Sequence, residues 1–365
     1  MRLEKRTAVS PAALVLAPVA AILFTLIVSS LLVLWAGAPV GQTWAALLRG
    51  GFGSVFAWSE TLTRATPLIF TGLAVTVAFK ARLFNIGAEG QLYAGALAAV
   101  AVGGLHGGAG LDMPPAVHFA LMMLAAALAG ALVLLGPALL KAKLGVDEVV
   151  TTLLLNFIVL LAVSALLDGP LKDPTAMGWP QSVGLKGELE LDKLVTGTRV
   201  HTGLLGACVL AVGLWAMFKY SLPGFDIRAT GANPRAAAFA GVPVTRTVVM
   251  VALVSGGLAG LAGAVEVAGR AGYVTLDMSP GYGYTGIVIG MLAGLHPLGV
   301  LAAGVFVAGV LVGADSMSRA INVPSYIADV IVAASPSATR SGSRWSSETP
   351  VTGRSSPTRA CASGA

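Results

Sequence analysis

The sequence predicts an all-α fold: a polytopic transmembrane bundle of about ten helical spans, some short or broken, with a cytoplasmic N-terminus. Three observations predict it. Only 11% of the residues are charged and 56% are hydrophobic, whereas a soluble domain carries about 25% charged residues. A chain of 365 residues without a charged shell has lipid as the solvent for most of its surface. The second observation is a series of ten apolar stretches, several near the roughly 20 residues that a helix needs to cross a bilayer. The third is an asymmetry of Lys and Arg between alternate connections, which orients membrane proteins.

The first apolar stretch, 12–36, follows Met-Arg-Leu-Glu-Lys-Arg and is longer than a signal-peptide core, so an uncleaved first helix is expected. The other expected spans are 62–79, 86–105, 115–140, 149–167, 203–218, 247–268, 282–295, 298–314 and 321–334. With the N-terminus inside, eleven basic residues fall in inner segments, among them Lys80, Arg82, Lys141, Lys143, Lys219, Arg228, Arg235 and Arg246. Four fall in short outer loops: Arg49, Arg64, Arg270 and Arg319. Gly256 with Gly260, Gly286 with Gly290 and Gly294, and Gly309 with Gly313 recur at spacing four, which lets helices approach closely.

Residues 1–334 are read as one transmembrane domain with two hydrophilic segments. Residues 168–202, rich in Pro and mixed charge, form an external loop. Residues 219–246 lie in the cytoplasm. There Pro234 followed by Arg-Ala-Ala-Ala-Phe-Ala predicts a short helix that Gly241 and Pro243 end. A short helix between two spans is either a docking surface or a simple interfacial helix. After Ala334 the composition turns to Ser, Thr, Pro, Arg and Gly, so 335–365 is expected as a disordered tail. The tail is either natural or the product of a frameshift, and resequencing through these codons decides.

The net charge of +6 is scattered between apolar runs rather than gathered in a basic patch, which argues against nucleic acid as a partner. Cys208 and Cys361 have no metal-ligand spacing. No phosphate-binding loop and no H-E-x-x-H occur, so neither nucleotide hydrolysis, a catalytic residue nor a metal is expected on this chain. Polar residues at membrane depth are the functional candidates. Phe84-Asn85-Ile86-Gly87-Ala88-Glu89-Gly90-Gln91 is the richest group. Either Asn85, Glu89 and Gln91 line a polar cavity, or the stretch is a cytoplasmic turn in which Glu89 neutralises Arg82. Asn156 either faces a pathway or bonds a neighbouring helix. Glu266 and Arg270 are read as an exposed structural pair. Tyr273, Tyr282 and Tyr284 are read as part of an interfacial aromatic belt.

These residues carry a resemblance. Ala81-Arg82-Leu83 and the following Phe84–Gln91 stretch resemble the signature of ABC importer permeases of the branched-chain amino acid and simple-sugar superfamily, in its nucleoside or simple-sugar branch. Arg228–Val242, with Gly231, Asn233, Pro234, Ala236, Ala237 and Gly241, resembles the family's cytoplasmic segment. Lys141–Val150 with Leu154-Leu-Asn156 also fits, and the resemblance spans about 12–334.

The resemblance implies a permease subunit in a bacterial inner membrane that translocates nucleosides. The alternatives are a simple-sugar permease such as one for a pentose, or an ion-coupled secondary transporter. It implies no cofactor on this chain, with ATP on a separate ATPase partner. It also implies a second, non-identical permease subunit and an extracytoplasmic substrate-binding protein. Gly231, Asn233, Arg235, Ala236, Ala237 and Gly241 match the segment that couples to the ATPase. Asn85, Glu89, Gln91 and Asn156 are the candidates for the translocation pathway.

Overall fold

The computed structural model describes residues 3–5, 27, 29–31, 33–35, 37–104, 114–321 and 348–350. The described helices are α1 (Val40–Phe52), α2 (Val55–Lys80), α3 (Ala88–Gly103), α4 (Pro115–Leu144), α5 (Glu148–Asp168) and α6 (Gly203–Tyr220). They continue as α7 (Leu222–Ala232), α8 (Pro234–Phe239), α9 (Val244–Glu266), α10 (Tyr282–Leu292) and α11 (Pro297–Ile321). A three-residue ribbon, β1 (Leu3–Lys5) against β2 (Glu348–Pro350), is the one sheet among the described residues. Among the described residues six helices are long and apolar enough to cross a membrane, or up to seven spans if Ser29–Trp35 and α1, which meet at 117°, form one broken span. The expected span 321–334 and most of 12–36 lie outside the described residues, as does the tail apart from β2.

Local chemistry sets the boundaries. The Ser54 hydroxyl caps α2 by accepting from the Ala57 amide, and the Asp147 carboxylate caps α5 by accepting from the Val149 amide. Pro115 opens α4, and Gly145 closes it in the left-handed conformation at φ 69°. Two helices escape the hydropathy reading. α1 is amphipathic, and α7 opens on a Leu-Pro pair that looks like a loop; its first turn is capped by Ser221 accepting from the Gly224 amide. Gly294 is not part of a glycine stripe on α10, because that helix ends at Leu292 and Gly294 turns the chain at φ 60°.

The two ends of the bundle follow from contacts. At one end Gly231 of α7 packs on the Lys80 carbonyl, and Lys141 at the end of α4 pairs with Glu148 at the start of α5. At the other, far end the 168–202 segment crosses the bundle: the Leu185 amide donates to the Gly272 carbonyl and the Leu191 amide to the Ala268 carbonyl. His201 of this segment is buried against Gly203 and Gly269, and burial pulls its imidazole down to about 4.

An inverted repeat organises the core. α2 and α9 are the most buried of the long helices, and they cross the bundle in opposite directions. Each is followed by irregular backbone, 81–87 or 272–281, then a short helix, α3 or α10, then a long one, α4 or α11. The halves are exchanged: α9 packs on α3 and α4, while α2 packs on α10 and α11. Glycines permit the close approach. A Cβ at Gly95 of α3 would stand 2.1 Å from the Gly260 carbonyl oxygen of α9, and one at Gly130 of α4 would stand 2.3 Å from that of Gly256.

Candidate functional site: the buried amide network, the far-end cleft and the coupling segment

The 81–87 segment enters the bundle from the α7 end as irregular backbone: the amides of residues 81–83 still bond the last turn of α2, but those of Phe84, Ile86 and Gly87 have no backbone partner. Side chains supply one. The Asn85 and Gln91 amides pair reciprocally: Asn85 Nδ2 donates to Gln91 Oε1 at 2.9 Å, and Gln91 Nε2 donates to Asn85 Oδ1 at 2.8 Å. Asn85 Nδ2 also donates to Ser255 Oγ at 3.2 Å, and Ser255 Oγ donates to the Ala74 carbonyl at 2.8 Å. Ser255 is thereby a tie between α9 and α2. From α5, Asn156 Nδ2 donates to the Ile86 carbonyl at 2.9 Å, while its Oδ1 accepts from the Gly90 amide at 2.8 Å.

Glu89 does not face Arg82. Its Oε2 accepts from the Gly283 amide at 2.6 Å, in the first turn of α10, where the orphan N–H groups and the helix dipole favour a carboxylate. The two half-crossings therefore meet at mid-bundle, joined by one carboxylate. All four predicted pathway residues are buried, at 3% exposure or less, and each is hydrogen-bonded within the chain. Replacing Asn85 with leucine strands the Gln91 amide and the Gly87 N–H. We expect a loss of about 3 kcal/mol of stability, since each buried polar group left unpaired costs about 1–3 kcal/mol, read as a lowered unfolding midpoint in detergent.

The aromatic belt expectation fails for two tyrosines. Tyr282 is wholly buried, and its carbonyl accepts from Thr71 Oγ1 at 3.0 Å. The Tyr284 hydroxyl accepts from Asn156 Nδ2 at 3.1 Å while its ring stays exposed. Glu266 and Arg270 do pair, at 2.7 Å, but Glu266 is only 1% exposed, so the pair is buried rather than superficial. The π-helical turn Val267–Ala271 carries Arg270. Sequence reasoning also missed a charged cleft of about 570 Å³ at the far end, lined by Arg49, Glu60, Arg64, Arg199, Asp315 and Arg319. Arg64 pairs with Asp315 at 2.6 Å and Arg199 with Glu60 at 3.1 Å. Its charged residues come from three distant stretches of chain, 49–64, 199 and 315–319, carrying three, one and two charges, which is why no local motif reveals it.

At the opposite end lies the α7–α8 segment. Asn233 caps α8, its Oδ1 accepting from the Arg235 and Ala236 amides at 3.1 and 3.2 Å. Gly241 closes the turn after α8 at φ 87°. Arg235, Ala236 and Phe239 point outward, Phe239 with 97% of its surface exposed, while Ala237 is buried. Gly231 is not on the outward face: a Cβ there would stand 1.8 Å from the Lys80 carbonyl oxygen. A glycine at that point lets the α7–α8 segment sit directly on the end of the central helix α2.

A polytopic helical bundle with a short, outward-facing helix between two spans is the arrangement that the resemblance implies, and comparison with known proteins decides the family. The profile of the family described as "Branched-chain amino acid transport system / permease component" matches residues 57–334. The chain belongs to this family. The permease is 35% identical to the guanosine ABC transporter permease protein NupP of Bacillus subtilis, over 87% of this chain and 90% of that one. It is 38% identical to the glucose ABC transporter permease protein TsgB13 of Haloferax volcanii, over 77% of this chain and 75% of that one. It is 29% identical to the nucleoside ABC transporter permease protein NupB of Lactococcus lactis, over 88% and 89% respectively. No solved structure matches the permease. Among the described residues no cluster of His, Cys, Asp and Glu is arranged to hold a metal ion. The permease is thus a polytopic membrane transport component.

Proposed function

We propose that this chain is one of two permease subunits of an ATP-driven importer for nucleosides in a bacterial inner membrane. Its N-terminus and α7–α8 face the cytoplasm, and the 168–202 segment faces out. The observation that carries the substrate is the likeness, across nearly the whole length of both chains, to a permease named for guanosine. A second permease chain is expected to be non-identical, since the chain is also 28% identical to the guanosine ABC transporter permease protein NupQ of the same Bacillus subtilis. ATP is bound and hydrolysed by a separate ATPase chain that grips Arg235, Ala236 and the exposed Phe239, with Asn233 and Gly241 holding α8 in shape and Gly231 and Ala237 seating it. An extracytoplasmic binding protein delivers substrate at the far end, where the charged cleft opens. Asn85, Glu89, Gln91 and Asn156 form the frame of the translocation pathway, tying its two half-crossings together.

The likeness to a glucose permease favours a second reading, a simple-sugar importer. Uptake of labelled guanosine by the native host separates the two. Loss on deletion of the gene, recovery on complementation, and no competition by glucose or ribose are expected. Uptake unchanged by deletion, in a host without another nucleoside carrier, removes the nucleoside reading; labelled glucose lost on deletion puts the sugar reading in its place.

A further inference from the structure

The 272–281 segment runs from the far end to mid-bundle without helical structure, and its outer side is not covered by the rest of the chain. Leu276, Asp277, Pro280 and Tyr284 are exposed along it. Its depth is fixed from within. The Tyr93 hydroxyl donates to the Leu276 carbonyl and accepts from the Ser279 amide. Tyr93 precedes Gly103, at the far end of α3, by ten residues, which is about 15 Å of helix. Asp277 therefore lies well inside the bundle, and Tyr284 deeper still, where its hydroxyl meets Asn156. Irregular backbone is not tolerated against lipid, because its N–H and C=O groups find no partners there; at this depth it lies only against protein or a water-filled path. An exposed carboxylate at the same depth is as costly in lipid. The neighbouring α5 face, with Ile158 and Leu161 exposed and no charge, fits lipid or a second chain.

We infer that the Asp277–Tyr284 strip is the substrate-contacting wall of the aqueous pathway, with the Asp277 carboxylate accepting hydrogen bonds from the hydroxyls of a ribosyl group and the Tyr284 ring stacking on the planar base. The inference rests on the nucleoside reading and adds the residues that select the substrate. The amide network fits this role from behind. Asn156 holds the Tyr284 hydroxyl, and Glu89 holds the first turn of α10, so the ring is presented in one position. A carboxylate acceptor and an aromatic face together recognise a molecule that carries both a diol and a flat ring.

The test is competition for guanosine uptake in wild type and in Asp277→Asn, each assembled with its ATPase. Guanosine is set against 2′,3′-dideoxyguanosine, which keeps the base and loses the diol. Wild type is expected to prefer guanosine strongly, because a site built to bond hydroxyls rejects the analogue that lacks them. Asp277→Asn is expected to raise KM about tenfold with a smaller change in maximal rate, and to lose most of that preference. Unchanged KM and preference in an assembled, active variant overturn the inference, whereas absence of guanosine uptake by wild type overturns the nucleoside reading beneath it. Should Asp277→Asn fail to assemble, thiol labelling decides. Asp277→Cys is expected to react with a membrane-impermeant maleimide, above the wild-type level, and Leu161→Cys is not. No reaction at position 277 overturns the inference.

Discussion

Leucine at position 260 is expected to abolish the folded permease. A Cβ on Gly260 would stand 2.2 Å from the Ala126 carbonyl oxygen and 3.1 Å from the Gly130 Cα, both backbone atoms of α4. Backbone cannot step aside as a side-chain terminus can, so α4 and α9 must separate. α9 is shared by both halves of the repeat, and the displacement spreads to α3, whose Gly95 rests on the same turn. Overpacking costs about 1–3 kcal/mol in a typical core and more where backbone is the obstacle, which is comparable with much of a domain's net stability of about 5–15 kcal/mol. Alanine at 260 should already lower the unfolding midpoint, and leucine should leave no monodisperse protein after extraction. Leucine at Gly136, where an added Cβ meets nothing within 4 Å, is the control and should be well tolerated. Equal yields of the Gly260 and Gly136 variants would contradict the packing account.

The second large effect is expected at the coupling segment, and it should be functional rather than structural. Arg235 and Phe239 lie on the outward face of α8, and neither fills the interior. Charge reversal of Arg235 or Phe239→Ser should cut recovery of the ATPase with the permease at least tenfold and abolish uptake, with the unfolding midpoint unchanged. A hot spot of this kind, an exposed aromatic beside an arginine, typically costs about 2 kcal/mol or more on truncation. Asn233→Ala acts differently: it removes the α8 cap at a cost of about 1 kcal/mol and should weaken coupling partially. Substitution at Gly231 is a poor probe of docking, because any side chain there collides with α2 before it reaches a partner. Full ATPase recovery with both Arg235→Glu and Phe239→Ser would count against α8 as the contact.

Much of this was legible in the sequence because hydropathy in lipid is a strong, one-dimensional signal. The spans 62–79, 115–140, 149–167, 203–218, 247–268 and 298–314 correspond to α2, α4, α5, α6, α9 and α11, the six helices long and apolar enough to cross a membrane among the described residues. The Pro234 helix was legible through its turn chemistry. α7 was not, since its Pro223 and Gly224 read as loop residues although Pro suits a first turn. The polar stretch from Asn85 to Gln91 was visible as an anomaly, but its partners, Ser255, Asn156 and Gly283, lie more than 60 residues away. Only the fold brings them together, so sequence alone left cavity and turn as equal readings. Tyr282 and Tyr284 show the same limit: two residues apart on one short helix, one faces the core and the other the exterior. The inverted repeat was invisible for a related reason. Its halves share the order of long, broken, short and long segments, and that order is set by backbone path rather than by matching side chains.

The central claim is that this chain moves substrate only when an ATPase acts on it through α8. The most direct measurement is uptake of labelled guanosine by proteoliposomes holding the permease assembled with its ATPase, second permease chain and binding protein, with ATP or an imposed proton gradient supplied separately. The account predicts uptake with ATP that ionophores do not diminish, none with the gradient alone, and none with ATP when Phe239→Ser replaces wild type. Uptake driven by the gradient without ATP would contradict it and would make the chain a self-contained, ion-coupled transporter.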